Sequence, residues 1–141
     1  MIVVDSSAVV AILFGEPLAA ALLSCLAADL DRVMSVASYL ETGTVLAGRR
    51  RSDRLRAIDD LDRFLNEAGI TLEAVDEVQA RLALRARIEH GRGMNHGGVL
   101  NFGDAFSYAL AKVLDAKLLF VGDDFGTTDV TPALNKDQAQ E

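Results

Sequence analysis

The sequence predicts an α/β fold, with a central parallel sheet of about four to five short strands flanked by helices. Three observations carry this. Short apolar runs recur along the chain, at Ile2–Val4, Val33–Val36, Ile70–Val75 and Lys117–Val121. Stretches with helical caps and helical spacing separate them. The runs are mostly continuous rather than alternating, as in parallel strands buried on both faces.

The elements follow in order. Ile2–Val4 is a buried strand, after which Ser6 or Ser7 caps a helix through Phe14. Gly15, Glu16 and Pro17 break it, and Pro17 opens the next helix, to about Leu30. Val33–Val36 is the second strand. A helix is expected from Ser38 to Arg50 and another from Ser52 to Ala68, closed by Gly69. Ile70–Val75 is a strand, and Asp76 caps a helix running to His90. The glycine-rich segment GRGMNHGG is a loop. In the next helix Phe102, Ala105, Phe106, Ala109, Leu110 and Val113 fall on one face, expected to be buried. Lys117–Val121 is the last strand. The folded unit is expected over 1–134, with 135–141 a polar tail.

Composition narrows the class. The chain has 141 residues, half hydrophobic and a quarter charged, which suits a packed globular domain. No apolar run approaches the ~18 residues needed to span a membrane. The opening MIVVDSSAVVAILFGEP lacks a basic start and is interrupted by Asp5, Glu16 and Pro17, so it reads as mature protein. Cys25, the single cysteine, lies in an apolar helical run where a buried thiol is expected, and a reducing cytoplasm fits. The net charge of −7 argues against a generic nucleic-acid binder without excluding a nuclease. The arginines are bunched, Arg49 to Arg51 with Arg54 and Arg56, then Arg81, Arg85, Arg87 and Arg92. Taken alone, either bunch reads more readily as a solvated helix face.

In open parallel sheets the site lies beyond the carboxyl ends of the strands. Asp5 follows the first strand and Asp123 and Asp124 follow the last. Glu41 stands early in the helix after the second strand, and Asp104 in the first turn of the helix before the last. Each has a structural reading too. Asp5 suits a helix cap, Glu41 a solvated face, Asp123 and Asp124 a turn, and Asp104 a capping box with Asn101. The set is what points to chemistry. Crowded carboxylates repel, and a hard divalent cation relieves that repulsion. One cysteine and two histidines give no zinc spacing. A carboxylate-held Mg²⁺, or Mn²⁺, can activate water and stabilise charge on an attacked phosphate, which is phosphodiester hydrolysis.

The acids Asp5, Glu41 and Asp104, followed by an acidic pair after the last strand, resemble the PIN-domain nucleases. More narrowly, MIVVDSSAVVAIL, MSVASYLET, VLNFGDAFSYALAK and LLFVGDDFGTTDV resemble the VapC toxins of VapBC toxin–antitoxin modules, over Met1 to about Pro132. The resemblance implies a Mg²⁺-dependent endoribonuclease. Asp5 and Asp104 would be the principal metal ligands, and Glu41 would complete the site directly or through water. Many relatives carry the fourth acid where this chain has Gly122; Asp124, which precedes Phe125 as in the family's aspartate–phenylalanine pair, would take that part here, with Asp123 the alternative. Ser6 or Ser7 would hold Asp5, and Asn101 would orient the site. Arg49, Arg50, Arg51, Arg87 and Arg92 are candidates for gripping the RNA backbone, and His96 for touching RNA. The resemblance also implies a homodimer, a VapB-type antitoxin and an RNA substrate such as transfer or ribosomal RNA.

Two other readings compete. A phosphotransfer domain would use Asp5 as nucleophile, but Ser7 stands where its second aspartate belongs and Lys117 stands at the start of its strand rather than after it. A PIN-like module that has lost its metal would bind or assemble without catalysis, although the expected acids are retained here.

Overall fold

In the computed structural model, which describes residues 1–94, 96–135 and 137, four parallel strands form one sheet. They are β1 (Ile2–Val4), β2 (Arg32–Ser35), β3 (Ile70–Glu73) and β4 (Lys117–Leu119), in the order β3-β2-β1-β4. Six helices complete the described part: α1 (Ser6–Leu13), α2 (Ala19–Ala27), α3 (Val36–Arg49), α4 (Arg54–Glu67), α5 (Glu77–His90) and α6 (Phe102–Leu114).

The strands read as continuous apolar runs because both faces of the sheet are covered. Ile2, Val4, Met34 and Leu119 belong to one core with α1 to α4. The intervening residues Val3, Val33 and Leu118 belong to a second core with α5 and α6. This is the two-residue alternation of a strand, with apolar partners on each side. Edge strand β3 exposes Thr71 and Leu72. The other edge, β4, is flanked by the segment around Pro132, where Leu118 N–H donates to Thr131 at 2.9 Å and Ala133 N–H to Leu118 at 2.8 Å. That covering satisfies backbone groups an open edge would leave to solvent.

Several boundaries move, each for a local reason. The cap of α1 is Asp5, whose side chain accepts from Ser7 N–H, rather than Ser6 or Ser7. Helix α2 begins at Ala19 and ends at Ala27; Pro17 lies in the preceding turn, and Asp29 accepts from Asp31 N–H beyond its end. Ser35 caps α3, so that helix starts at Val36 and β2 ends one residue earlier than its apolar run. Strands β3 and β4 are likewise shorter than the runs that marked them. Asp76 caps α5 and Gly69 follows α4 at φ +65°, as the sequence indicates. Cys25 is only half-buried.

Helix α6 corrects the expected face. Its ends are exposed, Phe102 at 72% and Val113 at 41%. The buried positions are Asp104, Ala105, Ser107, Ala109, Leu110 and Ala111. Two polar residues therefore face inward where an apolar stripe would place none.

Candidate active site

Asp5 sits where β1 hands over to α1. Its backbone N–H donates to Leu119 of the neighbouring strand at 2.9 Å, which fixes it at the carboxyl edge of the sheet. Its side chain is 1% exposed and both oxygens are bonded. Oδ2 accepts from Ser7 N–H at 3.1 Å and from Ser7 Oγ at 2.6 Å, and Oδ1 accepts from Ser107 Oγ at 2.6 Å. Ser7 Oγ in turn accepts from Val121 N–H at 3.0 Å, tying the chain beyond β4 to the same point. Burial pushes the Asp5 carboxyl above its ordinary range, and the bonds from Ser107 and Ser7 pull it back.

Asp104 opens α6 in the capping box expected of it. Asn101 N–H donates to Asp104 Oδ2 at 3.0 Å, and Asp104 N–H donates to Asn101 Oδ1 at 2.9 Å. Its carboxyl is pushed up to about 7, first by burial and then by the like charges of Asp5, Asp124 and Glu41, against the pull of the Asn101 N–H. The four acids that the sequence scatters over 120 positions thus bear on one point. Glu41 reaches it from α3. Ser6 Oγ donates to Glu41 Oε1, and Oε2 lies against Gly103, where a Cβ would stand 1.7 Å away. From the turn after β4, Asp124 is half-buried and acts on Asp104, while Asp123 is exposed. Buried Phe125, whose ring lies 4.8 Å from that of Phe120, anchors this turn.

The donors are all carboxylate oxygens, which suits a hard cation. Among the described residues no three His, Cys, Asp or Glu side chains form a ready metal cage. The arrangement fits a cation that takes one or two carboxylates and keeps much of its water, the habit of Mg²⁺. Burial is the largest cause of the raised proton affinity of Asp104, and the like charges of Asp5, Asp124 and Glu41 add to it, a repulsion that a cation bound there would relieve.

The sequence profile of the PIN domain matches residues 2–130. The chain belongs to the PIN-domain family. Ribonuclease VapC42 of Mycobacterium tuberculosis is 44% identical over 131 residues, covering 93% of this chain and 98% of that protein. Ribonuclease VapC28 of the same species is 47% identical over 134 residues, covering 95% and 98%. Ribonuclease VapC of Mycolicibacterium smegmatis is 48% identical over 128 residues, covering 91% and 96%. The chain is thus a PIN-domain protein of the VapC group. The crystal structure of Mycobacterium tuberculosis VapC20, a toxin that cleaves the sarcin–ricin loop, superposes with a TM-score of 0.69. At 20% identity, over 93% of this chain and 97% of that one, it bears on the fold alone.

In this PIN domain the serine candidates bond the acids, whereas Arg49, Arg50 and Arg87 contact other groups. Ser6 holds Glu41 and Ser7 holds Asp5, so the two serines divide a task expected of either. Arg49 lies 4.3 Å over the Phe14 ring and Arg50 pairs with Asp60. Both are at the far end of α1 from Asp5, which eight helical residues put about 12 Å away. Arg87 donates to the Leu100 carbonyl, bracing the glycine-rich loop. Arg51, Arg92 and His96 are exposed. The residues that sequence reasoning passed over are Ser107, Ser38 and Gly103. Their sequence signal is faint: a serine one turn after Asp104, another one turn before Glu41, and a glycine inside a helix. Asp129 also gains a place, accepting from Tyr108 Oη at 2.7 Å and Lys112 Nζ at 2.9 Å, which fastens the TTD stretch to α6.

Proposed function

We propose that this chain is a Mg²⁺-dependent endoribonuclease of the VapC type, cleaving RNA phosphodiester bonds and neutralised by a VapB-type antitoxin. The observation that carries the proposal is the convergence of Asp5, Glu41 and Asp124 on a buried Asp104 whose carboxyl is raised to about 7. Relatives at 44% to 48% identity are named ribonucleases, which supports RNA as the substrate class. Transfer and ribosomal RNA both remain substrates for this reading.

Asp5 and Asp104 would hold the cation, with Glu41 and Asp124 completing the negative pocket. Bound there, Mg²⁺ supplies Lewis acidity for water and for the attacked phosphate. The chain's own part is positioning. Ser7 and Ser107 fix both oxygens of Asp5, and Asn101 fixes Asp104 at the N-terminus of α6. Ser6 and Gly103 seat the half-buried Glu41 carboxylate beside that helix end. Both oxygens of Asp5 are already held in hydrogen bonds, which favours direct hydrolysis over a covalent intermediate on that carboxylate. The net charge of −7 favours a basic partner, which suits an antitoxin arm, and a homodimer is part of the same proposal.

The test is Mg²⁺ calorimetry beside cleavage of single-stranded RNA, for wild type, Asp5→Asn and Asp104→Asn. Expected are binding and cleavage in wild type, and loss of both in the variants with folding intact. Wild-type heats equal to those of the variants, with no cleavage, favour the silent binding module instead. Co-expression of the neighbouring gene product should suppress cleavage by wild type.

A further inference from the structure

Behind the acids lies a buried pair of hydroxyls that the reading above does not require. Ser107 Oγ donates to Asp5 Oδ1 at 2.6 Å and its side chain is fully buried. On its other side Ser38 Oγ stands 2.9 Å away, also buried. A serine hydroxyl carries one proton. That of Ser107 is donated to Asp5, so Ser38 is the donor in the serine pair. The direction of the chain is therefore fixed, Ser38 to Ser107 to Asp5. Ser38 is itself anchored one turn before Glu41, where buried Thr42 Oγ1 donates to its carbonyl at 2.7 Å. Ser107 lies one turn after Asp104. The chain thus starts on the helix that carries Glu41, passes through the helix that carries Asp104, and ends on Asp5.

Packing alone does not explain it. The buried neighbours of Ser107 one turn away on α6 are Asp104, Leu110 and Ala111, and an alanine in its place would itself bury no polar atom. A buried hydroxyl carries a desolvation cost unless it is bonded, so two of them face to face argue for work at the end of the chain. Neither reaches solvent, so neither touches RNA.

We propose that Ser38 and Ser107 form a positioning relay that holds the plane of the Asp5 carboxylate and thereby sets the affinity of the site for a divalent cation. This rests on the metal-dependent reading above. Ser7 fixes one oxygen of Asp5 and Ser107 the other, so loss of Ser107 frees the carboxylate to turn about its last bond. Ser38 acts only through Ser107, and the two substitutions must therefore be non-additive.

The experiment titrates Mn²⁺ into purified protein and follows free Mn²⁺ by electron paramagnetic resonance, for wild type, Ser107→Ala, Ser38→Ala, the double variant and Asp5→Asn. Ser107→Ala is expected to weaken binding about tenfold, the scale on which partners of metal ligands act. Ser38→Ala weakens it less, about two- to threefold, and the double variant is no weaker than Ser107→Ala. The Mg²⁺ concentration giving half-maximal RNA cleavage moves in parallel, while KM for RNA at saturating Mg²⁺ stays at the wild-type value, which a general loosening of the fold would not leave untouched. Wild-type Mn²⁺ affinity in Ser107→Ala, or losses that multiply in the double variant, overturn the relay and leave the metal site standing. Wild-type protein that binds Mn²⁺ no better than Asp5→Asn overturns both. Should Ser107→Ala fail to fold, Ser38→Ala decides, and unchanged affinity there overturns the relay.

Discussion

Gly103→Ala separates the site from the fold more sharply than removal of any acid. A Cβ on residue 103 would stand 1.7 Å from Glu41 Oε2 and 2.6 Å from its Cδ, where ordinary contact begins at 3.4 Å. The carboxylate must withdraw by roughly 1.5–2 Å, and it can, because it ends a flexible side chain. The backbone at Gly103 is helical and makes no demand for glycine, so alanine gains about 0.5–1 kcal/mol of helix propensity. Withdrawal also breaks the charge-assisted bond from Ser6, worth about 1.5–3 kcal/mol, part of which water restores at this half-exposed position. The two terms oppose, and the net change in stability should stay within about 1–2 kcal/mol. Activity has no such compensation. A displacement on the order of 1 Å in a catalytic group costs about 100-fold. The expected result is a fall in kcat/KM of at least tenfold and toward 100-fold on a single-stranded RNA, with a melting temperature within about 5 °C of wild type. Full activity in Gly103→Ala, or activity lost only in proportion to folded protein, would refute the placement of Glu41 at the reacting centre.

Two further predictions rest on single observations. Asp104 binds its proton more tightly folded, at about 7, than at its ordinary value of 3.8, and Asp5 shifts the same way. The metal-free fold is therefore most stable near pH 4 and loses stability as pH rises toward 7; Asp29 and Asp129, shifted downward, act only below that window. Thermal melts in chelator should fall between pH 5 and pH 8, Asp104→Asn should flatten the fall, and saturating Mg²⁺ should remove it; a melting temperature that rises over this interval contradicts the account. Arg87→Ala should destabilise the protein by about 1–2 kcal/mol in denaturant titrations, because the carbonyl of buried Leu100 loses a charge-assisted donor while the neutral Arg92 N–H at 3.0 Å stays. If Arg87 instead serves RNA, stability stays unchanged and the salt dependence of RNA binding weakens.

What the sequence made legible follows from where information is local. The strands were visible because a parallel sheet covered on both faces demands apolar residues at every position, and Val3 and Val4 meet that demand toward opposite cores. The start of α6 was visible because Asn101 and Asp104 are three residues apart and bond each other. Its buried face was not, because hydrophobic spacing treats Phe102 as inward and Ser107 as outward, and the structure reverses both. Only Asp5, 102 positions away, makes Ser107 an inward residue, and only Glu41 gives Gly103 a reason to be glycine. Asp5 and Asp124 were legible from their places after strands, a topological rule that needs no contact map, whereas Glu41 and Asp104 stand on helices near that edge. The hydroxyls that orient them obey no such rule.

The contest between capping and catalysis, posed by the sequence for Asp5 and Asp104, dissolves in the geometry. Each is a cap: Asp5 accepts from Ser7 N–H, and Asp104 closes the box with Asn101. In each, the cap engages Oδ2, and Oδ1 takes no part in it. For Asp5 that second oxygen receives Ser107. A helix N-terminus presents N–H groups that hold a carboxylate at a set angle and favour its charge. Capping is thus the means by which a buried acid is kept oriented, and partly kept ionised, at the sheet edge. The cost is visible in Asp104: its cap lowers the proton affinity, yet burial and three neighbouring acids raise it more. A domain built for stability alone would place one acid at that helix end and leave the others in solvent. Gathering Asp5, Glu41 and Asp124 around it raises the proton affinity of Asp104 beyond what burial does, and under the proposed function a bound cation would relieve that repulsion.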